Sequence, residues 1–462
     1  EGEGRNPSLL AKIFSPFPTR DKELCGEGAE RCEEKSKIPW QQTIRAAEQW
    51  NDISTDCERT AFVAFEYSSV RLGSNLHRNV IFRNAVVPQR PISYLDAPRE
   101  WRLWEILDKE CLLSGSGCDV LAIPHNSNIS NGRMFSTDYI GAYSNSAQVA
   151  RAKLRMKIEP LVEIMQHKGD SECRNGLSGV LGGEDELCEF EHFENLAFKT
   201  VGGSAEVGDC YDGPLADYVP HKGPTCLTRN SYVRYALIEG LTEQQRIGVN
   251  PFKFGLMAST DTHNGTGGAV MEKGFEGHLG WGDGRAERRV QYKTEIPGNA
   301  SNNPGGLIGV WSEQNTRDAL FDNMRSKEVF GTSGPRIKPR FFAGWDYPQD
   351  LCNDAELLSK SYANGVPMGG DLPAPSQSKS QSESGGPSFV LAASADAGTA
   401  EYPGVALQRL QVIKGWYDEK GDHHQKIYDV AGNANNGADV DLSNCEPRGA
   451  GHEQLCRVWR DP

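Results

Sequence analysis

The chain has 462 residues, 37% hydrophobic and 24% charged, and its 49 basic residues against 63 acidic ones leave a net charge of −14. That composition can bury a core and excludes a disordered chain, and the length suits roughly two to three domains. An acidic exterior repels nucleic acid and anionic membranes, and no run approaches the ~18 apolar residues of a membrane span, so neither is expected as a partner.

The first residues, Glu-Gly-Glu-Gly-Arg-Asn, form neither a signal peptide nor a clean domain start. Residues 38–50 read as a helix, with Trp40, Ile44 and Ala47 at helical spacing, and lead into a buried strand, Thr60-Ala-Phe-Val-Ala-Phe-Glu66. A helix over 99–110 leads into the strand 119–124, and one over 146–157 leads into 160–165. Residues 252–258 read as another strand, and a helix over 315–327 precedes the strand that starts at Val329. Repeated helix-then-buried-strand units predict a parallel sheet with covered faces, as an α/β barrel or an open α/β fold. From about Arg336 the pattern becomes β-like, at 336–345, 387–394, 407–415 and 426–430, with turns between and no strong helix. Residues 373–387 are a low-complexity, solvated loop. The expected organisation is therefore an α/β unit over 1–335 and an antiparallel β unit over 336–462 packed on it.

Ligand-type residues fall at the ends of the apolar runs. Glu66 ends the first, His125 follows Ile123-Pro124, His167 follows Ile164-Met165-Gln166, and Asp261 and His263 follow Leu256-Met257-Ala258. In a parallel α/β arrangement those C-terminal ends share one face, where sites are built. Asp261 and His263 are two apart, so on an extended backbone both side chains point the same way. Imidazole and carboxylate together suit Zn, Mn or Fe, and two such ions promote hydrolysis of esters, phosphoesters above all. His77 follows closely and either ligates or acts as an acid; Arg78 is a candidate clamp for an anionic oxygen, with a surface ion pair as the alternative. Thr332-Ser-Gly-Pro-Arg336 offers hydroxyls, a flexible backbone and the cation Arg336, or is simply a turn. No G-x-S-x-G, phosphate-loop or H-E-x-x-H motif competes.

The twelve cysteines include Cys25 and Cys32, Cys111 and Cys118, Cys173 and Cys188, Cys210 and Cys226, and Cys445 and Cys456 at loop-like spacings. With no CxxC pair, the even count favours disulfides and an oxidising compartment, so a secreted or periplasmic protein is expected; spacing does not fix the connectivity. Three sequons begin at Asn128, Asn264 and Asn299.

The segments Asn75-Leu-His-Arg-Asn-Val-Ile-Phe82, Leu121-Ala-Ile-Pro-His-Asn-Ser-Asn128, His167-Lys-Gly-Asp-Ser-Glu-Cys173, Phe254-Gly-Leu-Met-Ala-Ser-Thr-Asp-Thr-His263 and Thr332-Ser-Gly-Pro-Arg336 resemble the domain-of-unknown-function 3604 family. Met368-Gly-Gly-Asp-Leu372 and Leu410-Gln-Val-Ile-Lys-Gly-Trp416 extend the resemblance over nearly the whole chain. Members are similar to the PHP (polymerase and histidinol phosphatase) hydrolases. The resemblance implies a distorted (β/α)₇ barrel with a cluster of two or three divalent metals, held here by Glu66, His125, His167, Asp261 and His263. The sequence departs from the PHP pattern in having no H-x-H strand upstream of Glu66 and no histidine before His77. The chain is therefore expected to be an internal portion of a longer protein, with the barrel incomplete at its N-terminus and the remaining ligands outside it. The leading expectation is a metal-dependent phosphoesterase acting on a small-molecule ester. Alternatives are hydrolysis of a sulfate ester or lactone, or a secreted or surface structural protein on a degenerate hydrolase fold.

Overall fold

The computed structural model describes residues 15, 17–192, 208–210, 226–263, 265–271, 303–375, 386–444 and 446–462. Helix α1, Glu30–Trp50, starts well before the periodic stretch because the Cys25–Cys32 disulfide closes the turn ahead of it. Its buried Trp40 donates from Nε1 to the Pro88 carbonyl at 2.8 Å, which lays the helix over the first sheet. That sheet is β1 (Val63–Tyr67), β2 (Arg78–Phe82) and β3 (Val120–Pro124), with β2 in the centre and antiparallel to both neighbours. The expectation of a wholly parallel sheet is corrected here. β1 and β3 do run the same way, but a strand absent from the sequence reading lies between them.

Helix α2, Glu100–Leu107, buries Trp101, Leu103, Trp104 and Leu107 against this sheet and ends in a π-helical turn near the Cys111–Cys118 disulfide. Ser144 caps α3, Asn145–Ile158, by accepting from the Ala147 amide. β4 (Leu161–Gln166) follows, then the short β5 (Val180–Gly182) and α4 (Val233–Ile247), which stops at Gly248 in the left-handed region. β6 (Gly255–Ala258) lies parallel to β4, with Leu161 opposite Gly255. β7 (Leu307–Val310) and β8 (Val329–Thr332) form an antiparallel pair joined through α5 (Arg317–Ser326). One apolar cluster ties these pieces together: Leu121 and Ile123 of β3, Leu161 of β4, Met257 of β6, Phe321 and Met324 of α5, and Val329 of β8. β8 also passes so close to β6 that a Cβ on Gly331 would lie 2.8 Å from the Met257 carbonyl carbon. The described strands form separate sheets of two to four strands, and no closed barrel is seen among them.

The C-terminal stretch is β-rich. β9 (Lys338–Gly344) pairs with β10 (Gly365–Pro367) and β11 (Ser388–Ser394), and β11 pairs with β14 (Gln454–Arg460), all antiparallel. A helix, α6 (Leu357–Ala363), interrupts a stretch expected to lack one. β12 (Arg409–Tyr417) and β13 (His423–Gly432) form a long hairpin whose second strand pairs in parallel with β5. Of the low-complexity loop 373–387, residues 376–385 lie outside the described residues.

Disulfides join Cys25–Cys32, Cys111–Cys118, Cys173–Cys188 and Cys210–Cys226. The fifth joins Cys456 to Cys352, not to Cys445, which lies outside the described residues. Sequence spacing cannot reveal that pairing, because the fold brings a short 3-10 turn, Leu351–Asn353, against β14 and so joins cysteines 104 positions apart. Cys57 is free. Among the described residues, no helix is long and apolar enough to cross a membrane.

Candidate metal centre

Strand alternation decides which side chains meet on the first sheet. Glu66 lies opposite Asn79, and Tyr67 lies opposite Arg78, which lies opposite Pro124. With period two, Glu66, His77 and His125 share one face, while Tyr67 and Arg78 share the other. The geometry follows suit. Glu66 Oε1 is 2.7 Å from His77 Nδ1 and 3.1 Å from His125 Nε2. Opposite it, His167 Nε2 lies 3.5 Å from Asp261 Oδ2, and His263 Nδ1 lies 3.3 Å from Asp261 Oδ1. In each triad the three ligand atoms lie within 4.8 Å of one another. The triads are linked, because His263 Nε2 is 3.8 Å from Glu66 Oε2. One Glu66 oxygen thus faces each group.

Asp261 and His263 meet by another route than the extended backbone that the sequence suggested. Both are left-handed, with φ of 57° and 52°, so the chain curls after β6. Asn126, after β3, is also left-handed at φ 54°. Such conformations disfavour residues with a Cβ and collect at turns and functional sites. Here they fold two strand ends back over the face that holds the ligands.

Arg78 is corrected. Its guanidinium is fully buried on the opposite face, where Nε donates to Glu159 Oε1 at 2.7 Å and Nη1 to the Leu76 carbonyl at 2.6 Å. It anchors the sheet to the helices and does not face the ligand cluster. Arg336 is exposed, and its backbone amide donates to Asp396 Oδ2 at 2.6 Å. His77, expected as an acid or a ligand, lies within the first triad.

The structure adds three polar groups. Gln166 is buried and donates from Nε2 to Asn126 Oδ1 at 2.7 Å and to Asp261 Oδ2 at 2.8 Å, holding the two curled strand ends together. Lys168 forms an ion pair with Asp261 Oδ2. Glu163, only 1% exposed, accepts from the Ser259 hydroxyl. A carboxylate within the apolar run Leu161-Val-Glu-Ile-Met165 was the available signal for Glu163, because a buried charge needs a reason. Asp170 instead holds a turn, accepting from the Glu172 and Cys173 amides. Cys173, Asp185 and Cys188 also lie close enough to hold an ion, but both sulfurs are committed to a disulfide.

The charges respond to this crowding. Burial raises the Glu66 carboxyl, but its contacts with His125 and His77 outweigh that and hold it well below the usual range. Asp261 is likewise depressed, its burial outweighed by His167, Lys168 and His125. Burial pushes the His77 imidazole down. At His125, burial is overcome by Glu66, Glu163 and Asp261, and its affinity for a proton rises. Burial drives Glu163 up to about 7, only partly offset by His125 and Ser259.

The family described as "Protein of unknown function (DUF3604)" matches residues 5–462. The chain belongs to the DUF3604 family. No curated protein and no solved structure matches it.

A divalent ion fits the donor set of this DUF3604 chain. His77 Nε2, His125 Nδ1 and Glu163 Oε1 are buried polar atoms with no hydrogen-bond partner among the described residues. Two carboxylates and four imidazoles make a mixed O/N set for a borderline ion, Zn, Mn or Fe, rather than the all-oxygen set of Mg or Ca. The depressed carboxyls of Glu66 and Asp261 are ionised at neutral pH, as ligands must be.

Proposed function

We propose that the two triads hold two divalent ions and that the protein is a metal-dependent hydrolase, best read as a phosphoesterase acting on a small-molecule ester. The observation that carries this reading is the pair of three-residue ligand groups joined by one carboxylate. Glu66, His77 and His125 would hold one ion and His167, Asp261 and His263 the other, with Glu66 shared. Bound ions supply Lewis acidity and hydroxide near neutral pH, and a pair stabilises both the attacking and the leaving oxygen of a displacement. The chain's own residues prepare the site. Gln166 fixes Asp261 against Asn126, the curl at Asp261 and His263 brings both to the cluster, and the buried Glu163, held by Ser259, has its carboxyl pushed up to about 7. The resemblance to PHP hydrolases supports the same chemistry and a distorted barrel for residues 1–335. Five disulfides favour an oxidising compartment, so we place the protein outside the cytoplasm, secreted or periplasmic.

The test is elemental analysis together with turnover of p-nitrophenyl phosphate after loading with Mn(II) or Zn(II). About two ions per chain are expected, and His125→Ala should lose at least one of them with most of the activity. Metal-loaded protein that hydrolyses neither phosphate esters nor sulfate esters or lactones would overturn the reading in favour of a structural protein.

A further inference from the structure

We infer that Lys168 is the anion-binding residue of this site, which selects esters carrying a tetrahedral oxyanion, such as a phosphoryl or sulfuryl group. The inference rests on the hydrolase reading above and deepens it. Lys168 follows His167 directly, and its ammonium meets Asp261 on Oδ2, the same oxygen that His167 and Gln166 approach. Its backbone is pinned on both sides. The amide donates to Gln166 Oε1 at 2.8 Å, and the carbonyl accepts from Asn128 Nδ2 at 3.0 Å. The side chain is 24% exposed.

These facts set up a competition. His167, Asp261 and His263 would hold an ion that competes for the Asp261 carboxylate and repels a neighbouring ammonium. The pinned backbone keeps Lys168 beside the site, and its released ammonium would be free to meet another negative charge there. A non-bridging oxygen of an ester's phosphoryl or sulfuryl group would be such a charge, and a point-like ammonium suits it. The arginines named from sequence do not compete for this role, since Arg78 is sealed on the other face of its sheet and Arg336 is exposed with its amide on Asp396.

The experiment compares wild type, Lys168→Met and Lys168→Arg after Mn(II) loading. It reads metal content, calorimetric binding of inorganic phosphate and of sulfate, and KM and kcat for p-nitrophenyl phosphate. Lys168→Met should retain its metal, weaken binding of the preferred oxyanion about tenfold or more and raise KM more than it lowers kcat, and Lys168→Arg should recover much of the binding. The tighter of the two anions in wild type identifies the ester class. Loss of metal in Lys168→Met, or anion binding indifferent to Lys168, would overturn the inference. Wild type that hydrolyses esters but binds anions without Lys168 retains the hydrolase reading and loses this one. Wild type that binds phosphate through Lys168 yet hydrolyses nothing does the reverse.

Discussion

Glu159 has almost no exposed surface, and three donors hold it: Arg78 Nε at 2.7 Å, Trp104 Nε1 at 2.8 Å and Arg155 Nε at 3.1 Å. Removing one partner of a buried pair leaves a charge with incomplete compensation. Arg78→Met should therefore cost on the order of 3–5 kcal/mol in urea unfolding, while any protein that still folds should match wild type in metal titration. Asp96 is a different case. Burial would raise its carboxyl, but hydrogen bonds from Arg90, Ser93 and Arg20 hold it at about 2. A depressed folded-state value gives stability that is present above the unfolded value, near 4, and is lost as pH falls through 2. Thermal melts between pH 5 and pH 2 should show that loss, and Asp96→Asn should flatten that part of the profile. Side-chain type made Glu66, His125, His167, Asp261 and His263 legible in the sequence, because acids and imidazoles stood at the ends of apolar runs. The facing of Arg78 and the reach of Lys168 were not legible. The first depends on a register with β1 and β3 that no local pattern encodes, and the second on a carboxylate 93 positions away.

At the scale of elements, continuous apolar runs announced β1, β3, β4 and β6, whose burial on both faces needs such sequences. β2 was hidden because its first residues, Arg78 and Asn79, are polar, and their burial is tolerated only through Glu159 and the neighbouring strands. The left-handed turn at Asp261 was equally silent, as the residues there are not glycines. Close strand approach makes a sharp prediction at Gly331, where a Cβ would fall 2.8 Å from Met257 C and 2.9 Å from Ala258 N. Gly331→Ala should push β8 off β6, cost about 1–3 kcal/mol as overpacking does, and weaken metal binding by moving the strand that leads to Asp261. Urea unfolding and metal titration on the same protein would check both parts. The Cys352–Cys456 bond closes a loop of 104 positions across the C-terminal sheet. Replacing both cysteines with serine should lower stability by about 2–4 kcal/mol, read as a shift in the denaturation midpoint.

Across the whole molecule, a net charge of −14 gathers cations near the surface and keeps polyanions away. Ions that bind only the folded chain stabilise it by linkage, by about 2.7 kcal/mol per site at a hundred times Kd. Melting temperature should rise with added Mn(II) or Zn(II) and fall with a chelator, and His167→Ala should blunt the response.

The parallel pairing of β5 with β13 bears on how the chain is made. β5 belongs to the stretch just after His167 and Lys168, which the Cys173–Cys188 bond ties down, yet its strand partner comes late in the chain. The same junction sets the Gln425 side chain on the Gly183 carbonyl, 242 positions away. On the ribosome, the edge of β5 stays open until the hairpin emerges, and long-range pairings of this kind are slow to form and prone to aggregate. A version stopped at residue 335 would keep every residue of both triads and never receive the strand that covers this edge. Residues 1–335 should therefore be less stable alone than with residues 336–462 attached, because the edge of β5 would stay uncovered.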